Sequence, residues 1–83
     1  MTIGSLIQKR RRQLGLSQRQ LAAMVGSRSN WISMVESGSA KFPKQKWQLF
    51  ADALKIDRSS FLSFVLRNFL PGIDEYHLIR FED

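Results

Sequence analysis

The stretch SQRQLAAMVGSRSNWISMVESG, from Ser17 to Gly38, decides the fold of this chain, because its small and apolar residues are spaced for two short helices and a tight turn. Ala22 falls where two helices must approach closely, and Gly26 follows four residues later, where the chain must leave the first helix. Ile32 and Val35 recur at helical spacing and predict the buried side of the second helix. Many helical hairpins contain such a turn, so the residues around it are needed to interpret it.

Short polar residues occupy the other side of the second predicted helix. On a helical wheel, Ser29, Asn30, Ser33 and Met34 lie opposite Ile32 and Val35, and Arg28 stands at the N-terminal tip. A helix that is held by one face and turns a short polar face outward is suited to reading the major groove of DNA. The segment therefore predicts a DNA-reading helix.

The chain resembles the phage-repressor family of helix-turn-helix proteins, which includes Cro and lambda repressor. The matching residues follow the family order: Arg11, Leu14-Gly15-Leu16-Ser17-Gln18, Leu21-Ala22, Gly26, Ile32-Ser33, Glu36-Ser37-Gly38 and Phe50-Ala51-Asp52-Ala53-Leu54. The resemblance covers roughly residues 3–66 and leaves the tail from Pro71 unmatched. It implies an all-α, five-helix lambda-repressor-like DNA-binding domain over residues 1–70, followed by a short C-terminal tail over residues 71–83.

Apolar periodicity, capping residues and helix breakers predict where the five helices begin and end. The first runs from about Thr2 to Leu14, and the second follows Ser17 as its N-cap. The third runs from about Arg28 to Ser37, with Ser27 as its cap and Gly38 as its end. The fourth spans about Pro43 to Leu54, and the fifth starts at a cap supplied by Asp57 or Ser59 and ends near Leu70.

Positive charge is concentrated in the first part of the chain. The net charge of the 83 residues is +6. Residues 1–51 contain nine Lys or Arg and one acid, whereas residues 52–83 contain four Lys or Arg and six acids. The basic field thus coincides with the predicted DNA-reading half, as expected for a nucleic-acid partner. The alternative is an ordinary solvated basic face.

The resemblance places the base-reading positions at Arg28, Ser29, Asn30 and Ser33. An arginine fork matches O6 and N7 of guanine, and an asparagine amide matches N6 and N7 of adenine. The alternative is that these residues are solvated side chains, or that Arg28 binds a phosphate and carries no sequence information.

Six residues are candidates for contacts with DNA phosphates: Gln18, Arg19, Trp31, Lys41, Lys44 and Lys46. Gln18 begins the second helix, where a side-chain amide and unpaired backbone N–H groups can hold a phosphate oxygen, as in the family. Trp31 lies between the buried and exposed faces. Packing against the fourth helix is its favoured role, and contact with a sugar or a thymine methyl is the alternative.

Glu36 is the only acid among the first 51 residues, so a buried position would require a cationic partner. The resemblance implies a structural ion pair with Arg11, which fixes the third helix against the scaffold. Arg10 is a competing partner. It falls in the apolar arc of the first helix, where the family usually carries a hydrophobic residue. We expect its stem to cover the edge of the core while its guanidinium reaches out.

The fifth helix carries more apolar residues than one buried arc requires. Four of these residues suffice for the core: Phe61, Leu62, Val65 and Phe69. Three apolar residues then remain without a place in it: Phe64, Leu66 and Leu70. The tail alternates weakly, which is typical of a short edge strand, and a second copy across a two-fold axis could pair with it. We therefore expect a homodimer whose interface includes Phe64, Leu66, Leu70, Ile79 and Phe81. A tail that docks loosely over its own helix is the alternative.

The expected function is that of a sequence-specific regulator of transcription, a repressor, which binds double-stranded DNA as a homodimer on a palindromic operator. The alternative is an antitoxin-type module that neutralises a partner toxin and autoregulates its operon. An enzyme is poorly supported, because His77 has no nucleophile or ligand set around it.

Composition excludes several other classes. The chain has no cysteine, which rules out disulfides and thiolate metal sites. We expect no cofactor, no metal and no small-molecule ligand. No apolar run is long enough for a signal peptide or a membrane span, so a cytoplasmic location without membrane contact is the expectation.

Overall fold

A computed structural model describes residues 1–67 and 79–82 of the chain, and within these residues it contains five α-helices. The helices are α1 (Ile3–Gln13), α2 (Gln18–Met24), α3 (Ser29–Ser37), α4 (Trp47–Ala53) and α5 (Arg58–Arg67). A single turn of 3-10 helix, Lys44–Lys46, precedes α4. The predicted all-α class with five helices is thereby confirmed. The predicted end of the fifth helix near Leu70 lies outside the described residues, as does His77.

Each of the five helices contributes at least one fully buried side chain to a common core. These side chains are Leu6 and Ile7 from α1, Leu21 from α2, Ile32 from α3, Phe50 from α4 and Phe61 from α5. Phe42, in the loop before the 3-10 turn, packs edge-on against both phenylalanine rings, with centroid distances of 5.0 and 5.9 Å. None of the helices in the described ranges is both long and apolar enough to cross a bilayer.

The turn between α2 and α3 forms at Gly26, as the sequence predicts, but the cap of α3 is displaced by one residue. Ser17 caps α2 and forms a reciprocal capping box with Gln20. Gly26 has a φ of +67°, a conformation that glycine adopts without strain. Ser27 was expected to cap α3, but its N–H donates to the Ala22 carbonyl at 2.8 Å and so keeps it in the turn. Arg28 is the N-cap residue instead.

The fourth predicted helix is divided in two. Pro43 is extended rather than helical, and its carbonyl accepts a hydrogen bond from the Lys46 N–H at 2.9 Å, which closes the 3-10 turn. The α-helix then begins only at Trp47. The fifth helix begins after Asp57, whose carboxylate accepts a hydrogen bond from the Ser60 N–H at 3.1 Å. Hydrogen bonds to the Asp57 carboxylate lower its pKa, first the one from the Ser59 hydroxyl and then the one from the Ser60 N–H.

Residues 79–82 pair with the turn between α4 and α5 of the same chain. The Asp57 N–H donates to the Arg80 carbonyl at 2.7 Å, and the Glu82 N–H donates to the Lys55 carbonyl at 2.6 Å. Ile56 and Phe81 form an antiparallel bridge between these hydrogen bonds. The backbone partners described for residues 79–82 thus lie within the chain, and pairing of this edge with a second copy stays a prediction.

Arg10 joins α1 to this closing segment. Its Nε donates to the Leu54 carbonyl at 2.8 Å, and its Nη2 donates to the Lys55 carbonyl at 3.3 Å. Its guanidinium also stacks over the Phe81 ring, 4.3 Å from the centroid. The expectation that this guanidinium reaches out of the core edge is therefore wrong, because two carbonyls and an aromatic face hold it there.

Phe81→Ala is expected to lower the free energy of unfolding by about 1–2 kcal/mol, because it removes a half-buried ring and a cation–π contact with a desolvated guanidinium. Urea unfolding measures the change. Leu49→Ala, at an exposed position on α4, is the control and should change stability by less than about 0.5 kcal/mol. Equal effects of the two substitutions would contradict a closing role for Phe81.

Candidate nucleic-acid interface

Helix α3 is anchored on its inner side by the core and by two neighbouring helices. Ile32 and Val35 are buried, and Ala22 of α2 is buried beneath them. At the other end, α1 crosses α3 so closely that a Cβ placed on Gly4 would lie 2.6 Å from the Glu36 carbonyl oxygen. The orientation of α3 is therefore fixed by backbone contact as well as by side-chain packing.

A buried ion pair connects α1 to the end of α3. The Arg11 Nε lies 2.7 Å from Glu36 Oε2, and Arg11 Nη2 lies 3.0 Å from Oε1, so the pair is bidentate. The two side chains are 9% and 1% exposed. Arg11 also donates to the Leu16 carbonyl at 2.9 Å. Arg10, the competing partner, is held on the opposite side by Leu54 and Lys55.

Gln18 also contacts this ion pair. Its Nε2 donates to Glu36 Oε1 at 3.1 Å, so the Glu36 carboxylate binds both the first residue of α2 and the arginine of α1. One amide hydrogen of Gln18, predicted to face a DNA phosphate, is thus used inside the protein. Three helices meet at one carboxylate, which makes Glu36 the junction of the site.

The predicted base-reading residues lie together on the open face of α3. Arg28, Ser29, Asn30 and Ser33 are all exposed. None of their side chains makes a hydrogen bond or an ion pair with any other described residue, whereas the opposite side of the helix is buried. Met34, beside Ser33, is 44% exposed. This face therefore offers uncommitted donors and acceptors on a rigid support.

The predicted phosphate-contacting residues divide into two groups. Arg19, Lys41 and Lys44 are exposed. Trp31 is half-buried and packs against Phe50, with ring centroids 6.3 Å apart, which matches its favoured role. Lys46 is also half-buried, and its Nζ donates to the Val25 and Gly26 carbonyls at 3.0 and 3.2 Å. Two of the three donor hydrogens of Lys46 are therefore used inside the protein, and its contact with a DNA phosphate stays a prediction.

The residues predicted for a dimer interface are largely used inside the chain. Phe64 and Ile79 are only 6% and 8% exposed, because they belong to the core, so Phe64 is not left over as the sequence suggested. Phe81 lies under Arg10. Leu66 is 61% exposed, and Leu70 lies outside the described residues.

Two residues of the site were not recognised from the sequence. Gly4 allows the close crossing of α1 and α3, and the signal that could have found it is an isolated glycine in an apolar helical pattern. Gln20 completes the capping box, and it is found by its position three residues after Ser17.

An anchored helix with a polar, uncommitted face, preceded by a glycine turn and a second helix, defines a helix-turn-helix DNA-binding domain. The sequence model of the family described as "Helix-turn-helix" matches residues 7–61, which is well over half of the chain. The chain belongs to this family, the DNA-binding regulators of transcription of the Cro and lambda-repressor type. Such regulators bind double-stranded DNA and are generally not enzymes. No curated protein matches the chain.

Proposed function

We propose that this chain is a sequence-specific transcriptional repressor that acts as a homodimer on a palindromic operator. The observation that carries the proposal is the contrast between the two sides of α3. Ile32 and Val35 are buried, while Arg28, Ser29, Asn30 and Ser33 are exposed and make no side-chain bond to the described residues. Because these polar side chains are not bonded within the described residues and stand on a fixed helix, they can form hydrogen bonds with the donors and acceptors on base edges.

Phosphate contacts would come from the exposed basic residues that flank this face. Arg19 lies in α2, and Lys41 and Lys44 lie on the segment between α3 and α4. Each contact with a phosphate releases counterions, which raises affinity for every sequence and makes binding steeply dependent on salt. These residues would hold the domain on the duplex while the side chains of α3 choose the sequence.

The homodimer is supported by one exposed apolar side chain near the end of the described part of α5. Leu66 is 61% exposed although it lies on a helix whose neighbouring residues are in the core. Two such domains related by a two-fold axis would place their α3 helices in successive major grooves, about 10 base pairs apart. The antitoxin alternative would use the same surface for a different protein, and a second protein that co-purifies with the chain from its host would favour it.

Arg28→Ala and Lys44→Ala are expected to affect binding in different ways. Loss of Arg28 should remove about 1–3 kcal/mol of discrimination at one base position of each half-site. Loss of Lys44 should weaken specific and non-specific binding alike and reduce the slope of log K against log [salt] by about 0.9. Selection of bound sequences from a random DNA pool, followed by titration of the selected duplex at several salt concentrations, measures both effects.

Two outcomes of this selection would contradict the proposal. If both substitutions changed the selected motif equally, the assignment of base and phosphate contacts would be wrong. If the unmodified protein preferred no duplex over bulk competitor, sequence-specific repression would be wrong altogether. A selected motif without two-fold symmetry would contradict the homodimer, but it would not contradict base reading by the exposed face of α3.

A further inference from the structure

Lys46 connects the start of α4 to the turn that leads into α3. Its Nζ donates to the carbonyls of Val25 and Gly26, 3.0 and 3.2 Å away, which lie 21 and 20 residues earlier in the sequence. Val25 is the C-cap residue of α2, and Gly26 is the left-handed residue of the turn. The Val25 carbonyl is one that the end of α2 leaves without an intrahelical partner, and the Gly26 carbonyl belongs to the turn that follows.

The polarity of α2 and a neighbouring aromatic ring both favour this contact. The C-terminal end of a helix carries partial negative charge, so a lysine ammonium placed there is stabilised by both hydrogen bonds and the helix dipole. The Nζ also lies 6.0 Å from the centroid of the Trp31 ring, within the range of a cation–π contact. Trp31 itself packs on Phe50, so the ammonium is held between α2, α3 and α4.

The position of this contact relates it to sequence reading. Only Ser27 separates Gly26 from Arg28, the N-cap residue of α3 and the first of the exposed residues on its open face. Arg28 makes no side-chain cap on its own helix, so nothing in its side chain fixes the entry of the chain into α3. The turn is held instead by the Ser27 N–H bond to Ala22 and by Lys46.

We propose that Lys46 is a positioning residue for DNA recognition, which ties the turn between α2 and α3 to α4 and so sets where Arg28 and Ser29 meet the bases. This inference rests on the proposed function of α3 as the reading helix. It differs from a phosphate contact in its consequence: Lys46 acts on which sequence is chosen, and it contributes no counterion release.

The test compares three variants with the unmodified protein: Lys46→Met, Lys46→Arg and Lys41→Met. Methionine keeps an unbranched stem but has no charge and no donor, whereas arginine keeps a cation that can donate to both carbonyls. Lys41 is an exposed lysine on the neighbouring loop and serves as the matched control. Each variant is taken through selection from a random duplex pool and then titrated with the selected duplex and with a non-specific duplex at several salt concentrations.

For Lys46→Met we expect affinity for the selected duplex to fall about tenfold, as for the loss of a charge-assisted contact, with an unchanged salt slope. The motif should lose definition at the base pairs read by the start of α3 and keep it at those read by Ser33. Lys46→Arg should restore the motif. Lys41→Met should keep the motif and reduce the slope by about 0.9.

Three results would overturn the inference. One is a salt slope reduced by Lys46→Met as much as by Lys41→Met, with the motif intact, which would make Lys46 a phosphate contact. Another is uniform weakening on all sequences in proportion to a lower folded fraction, measured by circular dichroism, which would make its role purely structural. The third is an unchanged motif and affinity.

Failure of the proposed function is distinguishable from failure of this inference. If the unmodified protein selects no motif, the reading function of α3 is wrong, and Lys46 is then tested by amide hydrogen exchange alone. Faster exchange at Val25 and Ser27 in Lys46→Met than in Lys41→Met would support its hold on the turn. Equal exchange rates in both variants would show that Lys46 does not hold the turn between α2 and α3.

Discussion

Glu36→Gln is expected to lower the free energy of unfolding by about 3–5 kcal/mol, because it leaves the buried guanidinium of Arg11 without its counter-charge. The Glu36 side chain is 1% exposed, and it accepts hydrogen bonds from Arg11 and Gln18. A glutamine amide has the same shape but presents a donor where one of these donors now points. A loss of this size is a large part of the stability of a small domain, which is about 5–15 kcal/mol.

Urea unfolding of three further variants isolates the cause. Asp52→Asn breaks an exposed ion pair with Arg58, whose side chains are 51% and 55% exposed, and it should have little effect. Arg11→Met combined with Glu36→Leu removes both buried charges, and we expect the double variant to be more stable than Glu36→Gln. A Glu36→Gln protein as stable as Asp52→Asn would show that this carboxylate does not hold the three helices together.

Gly4→Ala is expected to cost about 3 kcal/mol, although alanine is the better helix former by about 0.5–1 kcal/mol. The new Cβ would lie 2.6 Å from the Glu36 carbonyl oxygen and still closer to the Val35 carbonyl oxygen. These are backbone atoms of a packed helix and cannot turn aside as a flexible side chain would. Helix α1 would have to move away from α3 and loosen the contact between Arg11 and Glu36.

The sign of the stability change in Gly4→Ala tests whether the backbones of α1 and α3 are in close contact. Ala23→Gly, at an exposed position on α2, should lower the free energy of unfolding by about 0.5–1 kcal/mol, since glycine is the poorer residue in an open helix. Thermal and urea unfolding of both variants provide the comparison. If Gly4→Ala stabilised the protein, α1 and α3 would not be in backbone contact.

Features that depend on neighbours in the sequence could be predicted from the sequence. Ser17 as a cap, Gly26 as the turn and Gly38 as the end of α3 each follow from conformational preferences of one residue in its local context. The buried side of α3 follows equally from the spacing of Ile32 and Val35. The exposure of the residues between them then follows from helical geometry alone.

Features that depend on distant parts of the chain could not be predicted in this way. In the sequence, nothing distinguishes Lys46 from an ordinary surface lysine. Only the folded structure brings its ammonium to two carbonyls that lie 20 and 21 residues away. From the sequence, α5 is expected to bury a single arc of side chains, which assigns Phe64 to the surface. In the structure Phe64 is buried in the core. Ser27 has the side chain of a cap, but the backbone bond to Ala22 holds it one residue too early.

The stacking of Arg10 on Phe81 has a consequence for local opening of the chain. The carbonyls of Leu54 and Lys55 hold the guanidinium independently of residues 79–82, so the closing segment can separate while α1 stays bound to the end of α4. Such an opening would expose the guanidinium face under Phe81 to water and leave the five helices assembled.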